Sequence, residues 1–134
     1  MARLRHTIAM LLQKRWLWQV ALGVSVIAIL YLATTDSSYP VPSSDNDKIN
    51  HLIAFIELTV LTRLSWPHFR ATWYLPALLG FGLALEAIQA HLPYREFSLT
   101  DMLANAAGIA LGLLIWRALQ SLINSDVKHS PYRA

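Results

Sequence analysis

The sequence predicts an all-α integral membrane protein: one domain over residues 1–134, folded as a four-helix transmembrane bundle with both termini in the cytoplasm. Three observations predict it. Of the 134 residues, 55% are hydrophobic and only 14% charged, against about 25% charged in a typical soluble domain. Four apolar runs approach or reach the roughly 20 residues needed to cross a bilayer. Nine of the eleven Lys and Arg fall on one side of those runs.

The first helix is expected over about 7–34, and residues 16–34 carry no charge. Ahead of that run Leu4, Ile8, Leu11 and Leu12 share a helical face flanked by Arg3, Arg5, Lys14 and Arg15. This is either a short amphipathic interfacial extension or a plain basic signal-anchor flank. "YLATTDSS" is a poor small-residue cleavage site, so the segment reads as a retained span and not as a cleaved signal. The second helix, 48–66, is the weakest span, interrupted by His51, Glu57 and Arg63. The third, 71–92, holds one acid, Glu86; the fourth, 99–123, has Asp101 near one end and Arg117 near the other. Pro67 breaks the chain between helices two and three. The short "LPYREFSL" loop makes helices three and four an antiparallel hairpin, and the tail 124–134 reads as disordered.

Orientation follows from the loop cations. With the N-terminus inside, Arg3, Arg5, Lys14, Arg15, Arg63, Arg70, Arg117, Lys128 and Arg133 are cytoplasmic, and only Lys48 and Arg95 are outside. Asp36, Asp45, Asp47, Glu96 and Asp101 then lie at the outer face. Trp16, Trp18, Trp66, Trp73 and Trp116 fall near the inner boundary, where an aromatic belt sits. The net charge of +3 is mild and its cations bracket apolar runs without forming a stripe, so nucleic acid is not a partner. Cysteine is absent, which excludes disulfide and thiol chemistry.

Polar residues converge where three helices meet the outer face. Lys48 and His51 are three apart and Asp47 and His51 four apart, so these side chains are neighbours on helix two; Ser44, Asp45 or Asp47 can equally cap that helix. Glu86 and Gln89 share a face of helix three, with Glu86 roughly 10 Å below the outer end. An intramembrane carboxylate faces the bundle interior and is protonated or paired, and Lys48, His51 and Arg95 are its candidate partners. Arg95 suits a carboxylate or phosphate, because its fork reaches two oxygens; the alternative is a rim salt bridge to Glu96 or Asp101. On helix four Ser98 or Thr100 can cap, and Asp101, Asn105, Gly108 and Gly112 follow at steps of four, three and four, along one stripe. Gly108 and Gly112 make a small-xxx-small packing pattern; Asn105 is either a ligand group or interhelical glue. Glu57 has no obvious partner at its depth.

These residues resemble those of the VanZ-like family of bacterial membrane proteins. The ordered set is Gly82-x3-Glu86-x2-Gln89-x3-Pro93-x-Arg95-x2-Ser98-x2-Asp101-x3-Asn105-x2-Gly108-x3-Gly112, with Asp47-Lys48-x2-His51-x3-Phe55 upstream. The chain departs from the family at Tyr94, where Gly is frequent, and at Leu52, where an aromatic is frequent. The resemblance implies a bacterial cytoplasmic membrane protein with a role at the outer face, since the founding member is associated with low-level resistance to the glycopeptide teicoplanin. It supplies no reaction.

Three functions compete. A binding module would hold an anionic lipid headgroup or a lipid-linked cell-wall intermediate at Lys48, His51 and Arg95, with Glu86, Gln89, Asp101 and Asn105 orienting it. A membrane-embedded hydrolase or transferase would use His51 and Glu86 as an acid–base pair. A small transporter or flippase would need a polar path across the whole membrane, and a homo-oligomer to build it. No cofactor is implied. Asp47, His51, Glu86 and Asp101 together could hold a hard divalent ion, but no compact metal motif such as HExxH occurs, and no metal is assigned.

Overall fold

In the computed structural model the described residues form four helices: α1 (Arg15–Thr34), α2 (Ser44–Ser65), α3 (Ala71–Gln89) and α4 (Leu99–Lys128). The structure describes residues 14–35 and 44–128, with side chains over 14–35 and 47–121. The expected interfacial extension through Leu4, Ile8, Leu11 and Leu12 lies outside the described residues, as do residues 36–43 and 129–134. Three boundaries differ from expectation. Helix α2 starts at Ser44, so Asp47 and Lys48 lie within its first turns. Helix α3 ends at Gln89, three residues early, in a series of turns before Arg95. Helix α4 continues through Lys128, five residues past the expected end and into the segment read as a disordered tail.

Helices α1, α3 and α4 (over Leu99–Ser121) are long and apolar enough to cross a membrane. The remaining helix, α2, is not among them, and its position in the bundle explains why. It packs on α1 and most extensively on α4. Phe55, Leu58, Thr59 and Ser65 of α2 are at most 1% exposed. A helix sheathed by its neighbours need not be apolar all round. Thr59 and Thr62 satisfy their hydroxyls by donating to the Phe55 and Leu58 carbonyls, 2.7 Å each. By contrast α1 buries no residue fully. Its Leu22, Val26, Ile29 and Leu30 touch the core, while Val20, Val24, Ile27 and Leu32 stay exposed. An apolar face of that extent suits acyl chains.

Helices α2 and α4 run parallel and meet along the glycine stripe. A Cβ on Gly108 would stand 2.5 Å from the Leu52 carbonyl and 2.8 Å from Phe55 Cβ. One on Gly112 would stand 2.7 Å from Thr59 Cβ. No side chain fits at either position, so the two backbones approach as small-residue interfaces allow. Helix α3 runs antiparallel to both. Its Gly82 gives room to the Asn105 amide, whose Nδ2 would lie 2.8 Å from an added Cβ.

The end of the bundle away from the polar cluster is closed by Arg63. Its guanidinium donates to the Phe69 and Pro67 carbonyls at 2.9 and 2.8 Å, fixing the α2–α3 loop. It also stands 5.1 Å from the Tyr74 ring centroid and 5.4 Å from that of Trp116, within cation–π range. Trp116 is therefore buried against Arg63, whereas Trp16, Trp66 and Trp73 at the same end are exposed.

Candidate functional site

The opposite, polar end is organised around His51. Two turns into α2, His51 is 8% exposed. Nδ1 lies 2.9 Å from Asn105 Oδ1 on the parallel helix. With the amide oxygen as acceptor, Nδ1 carries a proton and donates it. Nε2 faces Glu86 Oε1 of α3 at 3.7 Å and Asp101 Oδ2 of α4 at 4.0 Å. Three helices thus converge on one imidazole.

Local sequence explains each approach. Gly82 and Glu86 are one turn apart on α3, so the face that clears the Asn105 amide also delivers the carboxylate. Glu86 is fully buried; its Oε2 accepts the Ser98 backbone N–H at 3.1 Å, just ahead of α4. Ser98 caps α4, its Oγ accepting the Asp101 N–H at 3.2 Å. Capping sets the register that points Asp101 and, one turn on, Asn105 toward His51. Two buried polar atoms in this cluster have no hydrogen-bond partner: Glu86 Oε1 and Asn105 Nδ2.

Of the candidate cations for Glu86, His51 stands opposite it at 3.7 Å. Arg95 goes elsewhere, and not to Glu96 or Asp101. It donates to Asp47 Oδ2 at 2.6 Å, and the pair is about one-third exposed at the rim. Asp47, His51 and Asp101 bring one ligand-capable atom each to within 4.8 Å of one another.

Beside His51 a cavity of about 380 Å³ opens between α1, α2 and α3. Asp47, Asn50, His51, Gln89 and Arg95 line its polar part, and Ile29, Leu32, Ala54 and Leu85 are among its apolar residues. The residues singled out from sequence therefore divide. His51, Gln89 and Arg95 line the cavity; Glu86, Asp101 and Asn105 are buried behind His51; Lys48 is not on the cavity wall. Gln89 also donates to the Ala33 carbonyl at 3.2 Å, tying α3 to α1.

Sequence reasoning missed two features. Glu57, which had no visible partner, accepts the Ser25 hydroxyl of α1 at 2.5 Å and lines the same cavity. Tyr94, the departure in the α3–α4 loop, donates its hydroxyl to the Thr34 carbonyl at 2.7 Å and anchors the end of α1. Both link residues far apart in the chain, and neither leaves a periodic signal.

A membrane-grade four-helix bundle with a histidine–carboxylate cluster behind one rim defines a class, and comparison with known proteins gives the family. The VanZ/LLP1 family model matches residues 4–120, and the chain belongs to that family. An uncharacterized protein, C11E3.10, of Schizosaccharomyces pombe is 31% identical over 100 residues, covering 70% of this chain and 60% of the relative. The match thus spans about 60% of the length of that curated relative. No solved structure matches.

Proposed function

We propose that this membrane protein binds an amphipathic lipid, its headgroup at Arg95, His51 and Gln89 and its chains against Ile29, Leu32 and Leu85. The observation that carries this reading is the cavity, which joins a polar rim to apolar walls between α1, α2 and α3. Basic groups at a rim between helices are where headgroups are held. The lining refines the ligand. Arg95 is already matched by Asp47, and the Gln89 amide offers both a donor and an acceptor. A headgroup bearing hydroxyl or amino groups beside a phosphate fits better than a bare anion. The relative in a yeast, an organism without a bacterial cell wall, favours a phospholipid or lipid-linked sugar over a precursor confined to peptidoglycan. We place this site at the outer face of the cytoplasmic membrane with both termini inside, on the strength of the cation bias.

The test is native mass spectrometry of the protein in native lipid discs, wild type beside Arg95→Ala and Ala54→Phe. The first removes the rim cation and the second fills the apolar part. A discrete lipid mass retained by wild type and lost from both variants is expected; equal retention by all three, or none by wild type, refutes the reading. Topology is checked by placing single cysteines in this cysteine-free chain. A cysteine in loop 36–43 should react with an impermeant maleimide in intact cells, and one at Arg70 only after permeabilisation. Reversed labelling would put the site in the cytoplasm.

A second reading is a hydrolase or transferase with His51 and Glu86 as the acid–base pair. It draws on the fixed His51 ring, which lines the cavity and is backed by two carboxylates. Turnover of the captured lipid by wild type but not by His51→Ala would favour it. A link to glycopeptide resistance rests on family likeness alone; a raised inhibitory concentration of teicoplanin in a susceptible host expressing wild type, but not Arg95→Ala, would support it.

A further inference from the structure

We infer that His51, Glu86, Asp101 and Asp47 form a binding site for one first-row divalent metal ion of the Mn²⁺–Zn²⁺ class. The inference stands on the geometry of the cluster and not on the lipid reading. First, His51 stands within ligand range of two carboxylates, and three of the four residues bring their ligand atoms within 4.8 Å of one another. A first-row ion bound at about 2.0–2.2 Å sets its ligand atoms about 3 to 4.3 Å apart. His51 Nε2 stands 3.7 Å from Glu86 Oε1 and 4.0 Å from Asp101 Oδ2. Asp47 brings its oxygen within 4.8 Å of both His51 and Asp101 from the rim.

Second, a fully buried carboxylate oxygen in this cluster lacks a partner. Glu86 is 0% exposed and its Oε1 accepts no hydrogen bond, although Oε2 is taken by Ser98. Buried polar atoms are satisfied in nearly all native structures, and an orphan calls for an ion, a water or a proton. Third, the ring is held as metal-binding histidines are held. Such a histidine donates its other N–H to a carbonyl or carboxylate, which fixes the ring and its tautomer. Asn105 Oδ1 accepts from Nδ1 at 2.9 Å, and Gly82 keeps the space that amide needs.

One imidazole nitrogen with carboxylate oxygens and no thiolate selects Mn²⁺, Fe²⁺ or Zn²⁺ over the purely oxygen-liking Ca²⁺ and Mg²⁺.

The test uses the full chain in detergent, stripped with chelator and re-equilibrated with Zn²⁺, Mn²⁺, Ca²⁺ or Mg²⁺, with metal content read by elemental mass spectrometry. Wild type should retain one Zn²⁺ or Mn²⁺ per chain and melt at a higher temperature with it. His51→Ala and Glu86→Gln should lose it. Asn105→Ala, which removes only the positioning bond, should weaken affinity about 10- to 100-fold, and Glu57→Gln should bind as wild type does. If the variants fail to fold, the visible spectrum of Co²⁺ in wild type decides: ligand-field bands of a nitrogen–oxygen site support the assignment, and the spectrum of aqueous Co²⁺ refutes it. Wild type without bound Zn²⁺ or Mn²⁺, binding of Ca²⁺ alone, or full binding by a folded His51→Ala would each overturn the inference.

Discussion

One stripe of α4 builds two different contacts with α2. At Gly108 and Gly112 the backbones touch, and a single added methyl would overlap carbonyl or side-chain atoms. One and two turns nearer the polar end, Asn105 and Asp101 replace that dry contact with an amide and a carboxylate aimed at His51. The glycines hold the two helices at a separation short enough for Asn105 Oδ1 to reach the imidazole. The packing half therefore sets the geometry of the polar half, and the two halves should respond differently to substitution.

The largest expected effect comes from the packing half. Gly108→Ala must push α4 away from the Leu52 carbonyl, which belongs to a helix backbone and cannot swing aside. Overpacking of this kind costs about 1–3 kcal/mol, and we expect the upper end, read as a shift in an SDS-titration unfolding curve. Gly112→Ala meets Thr59 Cβ and Cγ2 as well as a carbonyl and should cost less. Gly80→Ala meets nothing within 4 Å and should leave stability unchanged. If Gly80→Ala destabilised as much as Gly108→Ala, the close approach would not be what holds the bundle.

The polar half should matter less to stability than to binding. A double-mutant cycle on His51→Ala and Asn105→Ala should give a coupling between about 0.6 and 1.7 kcal/mol, the average and the maximum measured for interhelical hydrogen bonds in a membrane protein. A coupling near zero would mean that the two side chains do not depend on each other. Smaller again is Arg95→Ala. Its pair with Asp47 is about one-third exposed, and such pairs contribute about 0.2–1 kcal/mol. Lipid retention should fall far more than stability does.

Much of this was legible in the sequence. Spacing alone put Asp101, Asn105, Gly108 and Gly112 on one face of α4, and Glu86 and Gln89 on one face of α3. The expense of a lone intramembrane carboxylate tied Glu86 to a partner, and His51 stood among the candidates. What periodicity cannot give is the identity of facing partners. It fixes which way a side chain points on its own helix, but not which helix stands opposite. Arg95 therefore had two local candidates, while the residue it binds lies 48 positions away. For the same reason α2 read as a poor span, when its polarity reflects a place inside the bundle. Lys48 was grouped with His51 on helical spacing, yet it stays off the cavity wall.

The smallest effect, and the sharpest on where the cavity ends, concerns Glu57. This residue is exposed along α2, and Ser25 of α1 donates to it at 2.5 Å. A carboxylate facing acyl chains without a donor would cost about 2.5–3.5 kcal/mol by insertion scales. Ser25 need offset only part of that, because Glu57 lines a cavity whose wall also carries Asn50, His51 and Gln89. Ser25→Ala should therefore destabilise by about 0.6 kcal/mol, the average for such bonds, while Ser25→Leu should do no worse if the carboxylate turns into the cavity. Loss of several kcal/mol in Ser25→Ala would mean that Glu57 sits in dry hydrocarbon. The cavity would then stop at Ala54, and the lipid it takes would be held by its headgroup alone.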